Sequence, residues 1–512
     1  MNGAESLVHT LLKSGVDVCF ANPGTSEMHF VAALDRIPGM RCVLGLQENV
    51  VTGMADGYWR MTDRPACTLL HCGPGLANGL ANLHNARRAR SGIVNIVGDQ
   101  ATYHRPLDAQ LTADTEGWAR GVSGWVRTAM TAENVGRDAA VAVQAARTPP
   151  GQIATLVLPA DTAWNEGGTV ADPLPAPTFQ APDPIAVRGA AKILREKQDV
   201  MILLGGRAIR ADALLAAHRI REKTGCRLLG EMSNARFERG RGRVPMERVP
   251  YPVDMAIASL KGVKHLILAG SKAPVGFFAY PGKPSHHYPD DCEVHVLSRY
   301  EQDALAALEA LADELGAPKV AAPDPGPRPE AGRGKPEPEG VIRTLAATMP
   351  ENSIVADESV SFGRGFFPNS HGAPAHDWLQ ITGGAIGCGV PLATGAALGG
   401  GGRRVINLQA DGSAMYTLQG LWTQAREKLP VTTVIISNRK YQILIGEYFN
   451  VGANPGPTAM NMLDLGNPDL DWIALAGGMG VEAAKAEDLE TLGDLLASSF
   501  RRTGPFLIEL VV

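Results

Sequence analysis

Short apolar runs alternate with amphipathic segments in three successive series, and two proline-rich stretches separate them. Residues 165–185 and 317–340 are too rich in proline for a helix or a central strand, so both read as extended linkers. They leave three comparable pieces, residues 1–164, 186–316 and 341–512. In the first, a helix over Leu7–Lys13 precedes strands at Val16–Ala21, Cys67–Leu70, Gly92–Val97 and Ala154–Leu158. The second offers Val200–Leu204 and His265–Ala269, and the third Val405–Gln409, Val431–Ser437 and Phe506–Val512. Strands alternating with helices in this way build parallel sheets covered by helices. The expected fold is α/β, with three doubly wound parallel-sheet domains.

The bulk numbers narrow the function. A length of 512 residues exceeds one hydrophobic core and suits about three domains. A net charge of −5 offers no basic field for a phosphodiester backbone, which argues against nucleic acid as a partner. Seven cysteines without metal-ligand spacing read as reduced thiols rather than a disulfide framework. No apolar stretch reaches the ~18 residues of a membrane span, and Met1-Asn2-Gly3-Ala4-Glu5 has no basic leader. The expected location is the cytoplasm, with no membrane partner.

The most informative segment runs over residues 404–442. One buried strand delivers Ala410-Asp411-Gly412-Ser413 at its carboxyl end, and the next delivers Ser437-Asn438. Carboxyl ends of adjacent parallel strands are where such sheets bind ligands. Asp411 brings a carboxylate oxygen, Asn438 an amide oxygen and Lys440 a backbone carbonyl; magnesium completes such a set with phosphate oxygens and water. Gly412 permits close approach of backbone to phosphate, and Ser413 opens a helix whose amino end favours an anion. The spacing of 27 positions between Asp411 and Asn438 resembles the cofactor motif of thiamin-diphosphate-dependent enzymes. Ala410 and Ser437 depart from the usual Gly and Asn of that motif.

A second segment, Gly45 to Arg60, carries Glu48 followed by Ala55, Gly57 and Tyr58. In the family it resembles, this Glu sits against the aminopyrimidine ring and promotes loss of the thiazolium C2 proton. Taken alone, a Glu at a helix start is simply stabilised by the helix dipole. The similarity extends to Asn22-Pro23-Gly24-Thr25, Leu70-His71-Cys72-Gly73-Pro74-Gly75, Asp357-Glu358-Ser359 and Gly383-Gly384-Ala385-Ile386-Gly387. Among family members the chain is most similar to benzoylformate decarboxylase and acetolactate-synthase-like proteins.

The resemblance implies a pyrimidine-binding domain, a middle domain and a diphosphate-binding domain in that order. It implies catalytic roles for Glu48 and His71, and cofactor contacts from Asn22, Pro23, Gly24, Thr25, Ser361, Gly384, Ile386, Asp411, Gly412, Ser413, Asn438 and Tyr441. Ile386 becomes the apolar wedge that bends the cofactor, and Gly384 offers its carbonyl to the aminopyrimidine. The implied metal ligands are Asp411, Asn438 and Lys440, and the substrate pocket is implied at Thr25, His71, Gln110 and Leu444. Thiamin diphosphate and Mg2+ are the implied cofactors. FAD, which acetolactate synthases hold in the middle domain, rests here only on Gly205-Gly206-Arg207 and is not supported.

The reaction implied is decarboxylation of a small 2-oxo acid to an enamine, in a homodimer or homotetramer whose active site lies between subunits. The alternative is an acetolactate-synthase-type joining of two 2-oxo acids. Residues 273–280 lack the second histidine of the decarboxylase, which counts against simple benzoylformate decarboxylation. A protein that only holds the cofactor would not need Glu48. A nicotinamide oxidoreductase would need a glycine fingerprint that Asn22-Pro23-Gly24-Thr25 does not supply.

Overall fold

The computed structural model describes all residues, 1–512, in three sheets. The first contains β1 (Val18–Ala21), β2 (Arg41–Leu44), β3 (Ala66–Leu70), β4 (Ile93–Asp99), β5 (Trp125–Thr128) and β6 (Ile153–Pro159), in the order 2-1-3-4-6-5. Next along the chain come β7 (Val200–Leu204), β8 (Arg227–Gly230), β9 (Phe237–Arg239), β10 (His265–Ala269) and β11 (Glu293–Ser298). Four of these form the second sheet in the order 11-10-7-8, while β9 leaves for the third. That sheet adds β12 (Ser353–Glu358), β13 (His376–Gln380), β14 (Val405–Ala410), β15 (Val431–Ser437), β16 (Glu482–Ala486) and β17 (Phe506–Val511), in the order 16-17-15-14-12-13-9. Every pairing is parallel except β9 on β13.

The α/β reading and its three parallel sheets hold. Two details differ from expectation. The middle segment lends β9 to the third sheet, so one core cluster runs from Val187 in the middle segment to Leu510 near the chain's end. Both proline-rich stretches also end inside helices, Pro184–Glu196 and Pro338–Thr348. Each proline occupies the first turn, where its missing N–H has no partner to lose.

Two contacts fix the Glu48–Thr62 helix against the rest of the chain. Its glycines meet the Gly389–Gly399 helix so closely that a Cβ on Gly57 would stand 2.1 Å from the Leu392 carbonyl oxygen. Alanine, usually about 1 kcal/mol better than glycine inside a helix, is therefore excluded at 57. Arg60, almost wholly buried, donates to Asp56 of its own helix (2.6 Å) and to the carbonyls of Ala235 (3.2 Å) and Gln380 (2.6 Å). One guanidinium thus ties the three segments together, its five donors matched to fixed acceptors.

Candidate active site

At the carboxyl ends of β12, β14 and β15 lies a cavity lined by Ser361, Ile386, Asp411, Gly412, Ser413, Asn438, Lys440 and Tyr441 among others. Asp411 is buried at the start of a short helix, with Oδ1 accepting from Gly412 N (2.8 Å) and Oδ2 from Arg439 N (2.6 Å). Burial pushes its carboxyl up from the ordinary range, against backbone N–H groups that hold it down. A cation beside it would offset that desolvation. Asn438 Oδ1 accepts from Lys440 N (3.2 Å), and the Lys440 carbonyl from Gln442 N (3.0 Å). Each oxygen keeps a second lone pair. The set is all oxygen, which fits magnesium. Glycine at 412 leaves room for the Tyr441 ring, which a Cβ there would meet at 2.4 Å.

The second cluster sits on the first sheet. Glu48 opens its helix, is 7% exposed, and accepts from Asn78 Nδ2 at 3.0 Å through Oε2. Its other oxygen faces Gly75, where a Cβ would be 2.9 Å from Glu48 Oε1 and 3.3 Å from His71 Cβ. Glu48 Oε1 and His71 Cβ therefore both lie against Gly75, while the His71 ring turns toward Gly24 and Glu27. His71 Nδ1 lies 2.9 Å from Glu27 Oε2, and Gly24 N donates to the same oxygen at 2.9 Å. A carboxylate at Nδ1 makes that nitrogen the donor and leaves Nε2 free. Cys72, beside Ser26 at 3.1 Å, has its thiol pushed up to about 12 by burial, so it stays protonated at neutral pH.

Glu27 escaped the sequence reading, although two glycines mark it. A Cβ on Gly24 would stand 2.1 Å from the His71 ring, and one on Gly98 would stand 1.6 Å from Glu27 Oε1. Glu358 also escaped as a working residue. It accepts from Gly387 N (2.8 Å), Gly389 N (2.7 Å) and Gln409 Nε2 (2.8 Å), bracing the loop that carries Ile386. Burial pushes its carboxyl up while these donors hold it down. Over the same loop, Phe277 stands where a Cβ on Gly384 would be, 2.4 Å from its Cζ.

The remaining expected residues fall in several places. Asn22 donates to the Gly45 carbonyl (2.8 Å) at the end of β1, followed by exposed Pro23. Thr25 borders a separate, open cavity with Ser26 and Cys72. Gln110 lines neither cavity, and Leu444 is exposed on the Gln442–Asn450 helix, none of whose residues is buried. Within one chain the Asp411 cavity and the Thr25 cavity share no lining residue.

Both clusters fall in regions that match known proteins. Residues 1–118 match "Thiamine pyrophosphate enzyme, N-terminal TPP binding domain" and residues 369–510 match the C-terminal TPP binding domain of the same enzymes. A Mycobacterium tuberculosis protein named "Putative acetolactate synthase large subunit IlvX" is 51% identical, covering 100% of this chain and 99% of its own. The chain belongs to the thiamine pyrophosphate enzyme family. Benzoylformate decarboxylase of Pseudomonas aeruginosa is 28% identical, with 98% of this chain and 97% of that protein covered. The fold is shared with a Rhodococcus jostii RHA1 thiamine diphosphate-dependent 4-hydroxybenzoylformate decarboxylase, at a TM-score of 0.85 and 24% identity over 99% of this chain and 98% of that one. As a thiamine pyrophosphate enzyme, the chain carries Glu48 and His71 in its N-terminal match and Asp411 and Asn438 in its C-terminal one. No helix is long and apolar enough to cross a membrane.

Proposed function

We propose that this chain is a thiamin-diphosphate- and magnesium-dependent enzyme that removes carbon dioxide from a small 2-oxo acid. The observation that carries this reading is the setting of Glu48: a buried carboxyl with one oxygen tied to Asn78 and the other facing Gly75, beside His71 Cβ. A protein that merely held the cofactor would gain nothing from desolvating an acid there. When bound, thiamin diphosphate supplies a carbon nucleophile and an electron sink for the bond to carbon dioxide.

The chain's own residues have separable tasks in this reading. Asp411, Asn438 and the Lys440 carbonyl would hold Mg2+, while Gly412, Ser413, Ser361 and Tyr441 would border the diphosphate. Ile386, on the loop braced by Glu358, would hold the cofactor bent, and the Gly384 carbonyl would accept from its aminopyrimidine. Asn22, Pro23, Gly24 and Thr25 would flank the ring end. Glu48 would share a proton with a ring nitrogen, and His71, oriented by Glu27, would exchange one with substrate through Nε2. Leu444 and Gln110 enter the pocket only if a second copy completes it. Support for that homodimer or homotetramer comes from the two unshared cavities and from a Gln442–Asn450 helix with no fully buried residue in one chain.

Once carbon dioxide has left, two outcomes are open. Protonation gives an aldehyde; joining to a second 2-oxo acid gives an acetolactate-type product. Phe277 packs against Gly384 in the stretch 273–280, which lacks the second histidine of the decarboxylase, and this supports the second outcome, with His71 left as the one assigned proton donor. His84 stands beside the same loop, with Nε2 3.1 Å from the Gly383 carbonyl oxygen, whereas His286 and His287 line neither the Asp411 cavity nor its neighbour beside Tyr280. Incubating the holoenzyme with a panel of 2-oxo acids and resolving products by mass spectrometry tests this. Ligated products in excess over aldehyde are expected; aldehyde alone would return the reading to simple decarboxylation.

A further inference from the structure

The middle sheet carries a group of side chains that the decarboxylation does not use. His265 begins β10 and Glu293 begins β11, and these two residues are register partners in a parallel pair. His295 lies two positions along β11, so all three side chains project from one face of the sheet. His265 Nδ1 stands 3.3 Å from His295 Nε2 and 3.6 Å from Glu293 Oε2, and His295 Nε2 is 3.7 Å from the same carboxylate oxygen. The two imidazoles stack at 26° with centroids 5.5 Å apart.

Three donor atoms so spaced have a common centre about 2.0 Å from each, and zinc takes histidine nitrogen and carboxylate oxygen at about 2.0–2.2 Å. Little movement is needed to coordinate an ion. Two histidines and one carboxylate suit zinc and neighbouring first-row divalent ions, whereas magnesium prefers oxygen throughout. His265 is mostly buried and anchored in the strand, while Glu293 and His295 are reachable from solvent, so an ion can enter and complete its shell with water.

We propose that His265, Glu293 and His295 form a divalent transition-metal site, binding Zn2+ or Co2+, that clips the edge strand β11 to β10. The place suits a clip. β11 borders the sheet on one side only, and its pairing with β10 breaks register between Leu268 and Ala269. The ladder is regular at the end where the three donors lie. The site belongs to the strand starts, the opposite end of the sheet from the Gly205 and Gly270 turns.

The test uses the full chain loaded with thiamin diphosphate and excess Mg2+. Zinc is titrated against a chromophoric chelator, comparing wild type with His295→Ala and with Glu293→Gln, both checked for an unchanged fold by circular dichroism. Wild type is expected to bind one more equivalent than His295→Ala, and Glu293→Gln to bind it more than about tenfold more weakly. Zinc should also slow hydrogen exchange over residues 293–298 in wild type alone. Co2+ should give visible d–d bands without thiolate charge transfer, which separates this site from capture near Cys72. Equal zinc stoichiometry in wild type and His295→Ala, or a thiolate band for the cobalt lost with a Cys72→Ser change, would overturn the proposal.

Discussion

Replacing Glu48 by Gln is expected to leave thiamin diphosphate bound and to slow exchange of its C2 proton by about 10²–10⁴-fold, the usual size of a general acid–base contribution. The amide keeps the shape of the carboxyl and can still pair with Asn78, so the Glu48–Thr62 helix and its packing on Gly389–Gly399 have no reason to change. What is lost is a carboxyl able to share a proton with the cofactor ring. Rapid-quench proton exchange followed by nuclear magnetic resonance measures this directly. Exchange within threefold of wild type would remove Glu48 from the mechanism.

The second large effect is expected at the other end of the cofactor. Asp411→Asn should weaken joint binding of Mg2+ and thiamin diphosphate by about 10²–10³-fold, within the 2–5 kcal/mol range for removing one partner of a buried charge pair. Asp411 is the only carboxylate among the three oxygens assigned to the metal, and both its oxygens already receive backbone N–H groups. The amide would turn its NH₂ toward one of those donors, so a modest loss of thermal stability should accompany the loss of affinity. Calorimetric titration of the apoprotein in saturating Mg2+ measures the change. An affinity within fivefold of wild type would place the metal elsewhere.

The nine strands legible in the sequence are all interior strands: β1, β3, β4 and β6, then β7 and β10, then β14, β15 and β17. Covered on both faces, they read as continuous apolar runs. The edge strands β2, β5, β8, β9, β11 and β16 are half exposed or very short, and their sequences mix charge with apolar residues, as in Arg41–Leu44 and Glu482–Ala486. β12 and β13 are interior yet disguised. His376, Asp377 and Gln380 are buried polar residues in β13, and Asp377 is held by Arg236 and Arg403 from elsewhere in the chain. No local pattern announces such partners.

The candidate site divides the same way. Asp411, Gly412, Ser413 and Asn438 stand close in sequence at adjacent strand ends, and Glu48 opens a helix, so local pattern exposes them. Glu27 and Glu358 act through partners 44 and about 30 residues away, and become visible only when the fold brings His71 and the Gly387–Gly389 amides to them. The clearest hints were negative ones, glycines at 24 and 98 where a side chain would collide with that pair.

The central claim is that one buried acid, Glu48, and one cavity carrying the three oxygens of Asp411, Asn438 and Lys440 serve a single 2-oxo acid decarboxylation. Its most direct test is carbon dioxide release from a 2-oxo acid panel by purified protein stripped of cofactor and then restored with thiamin diphosphate and Mg2+ together. Release is expected with at least one member of the panel, absent without either addition and abolished in Glu48→Gln. No release from any 2-oxo acid by protein shown to have bound the cofactor, or undiminished release by Glu48→Gln, would contradict it.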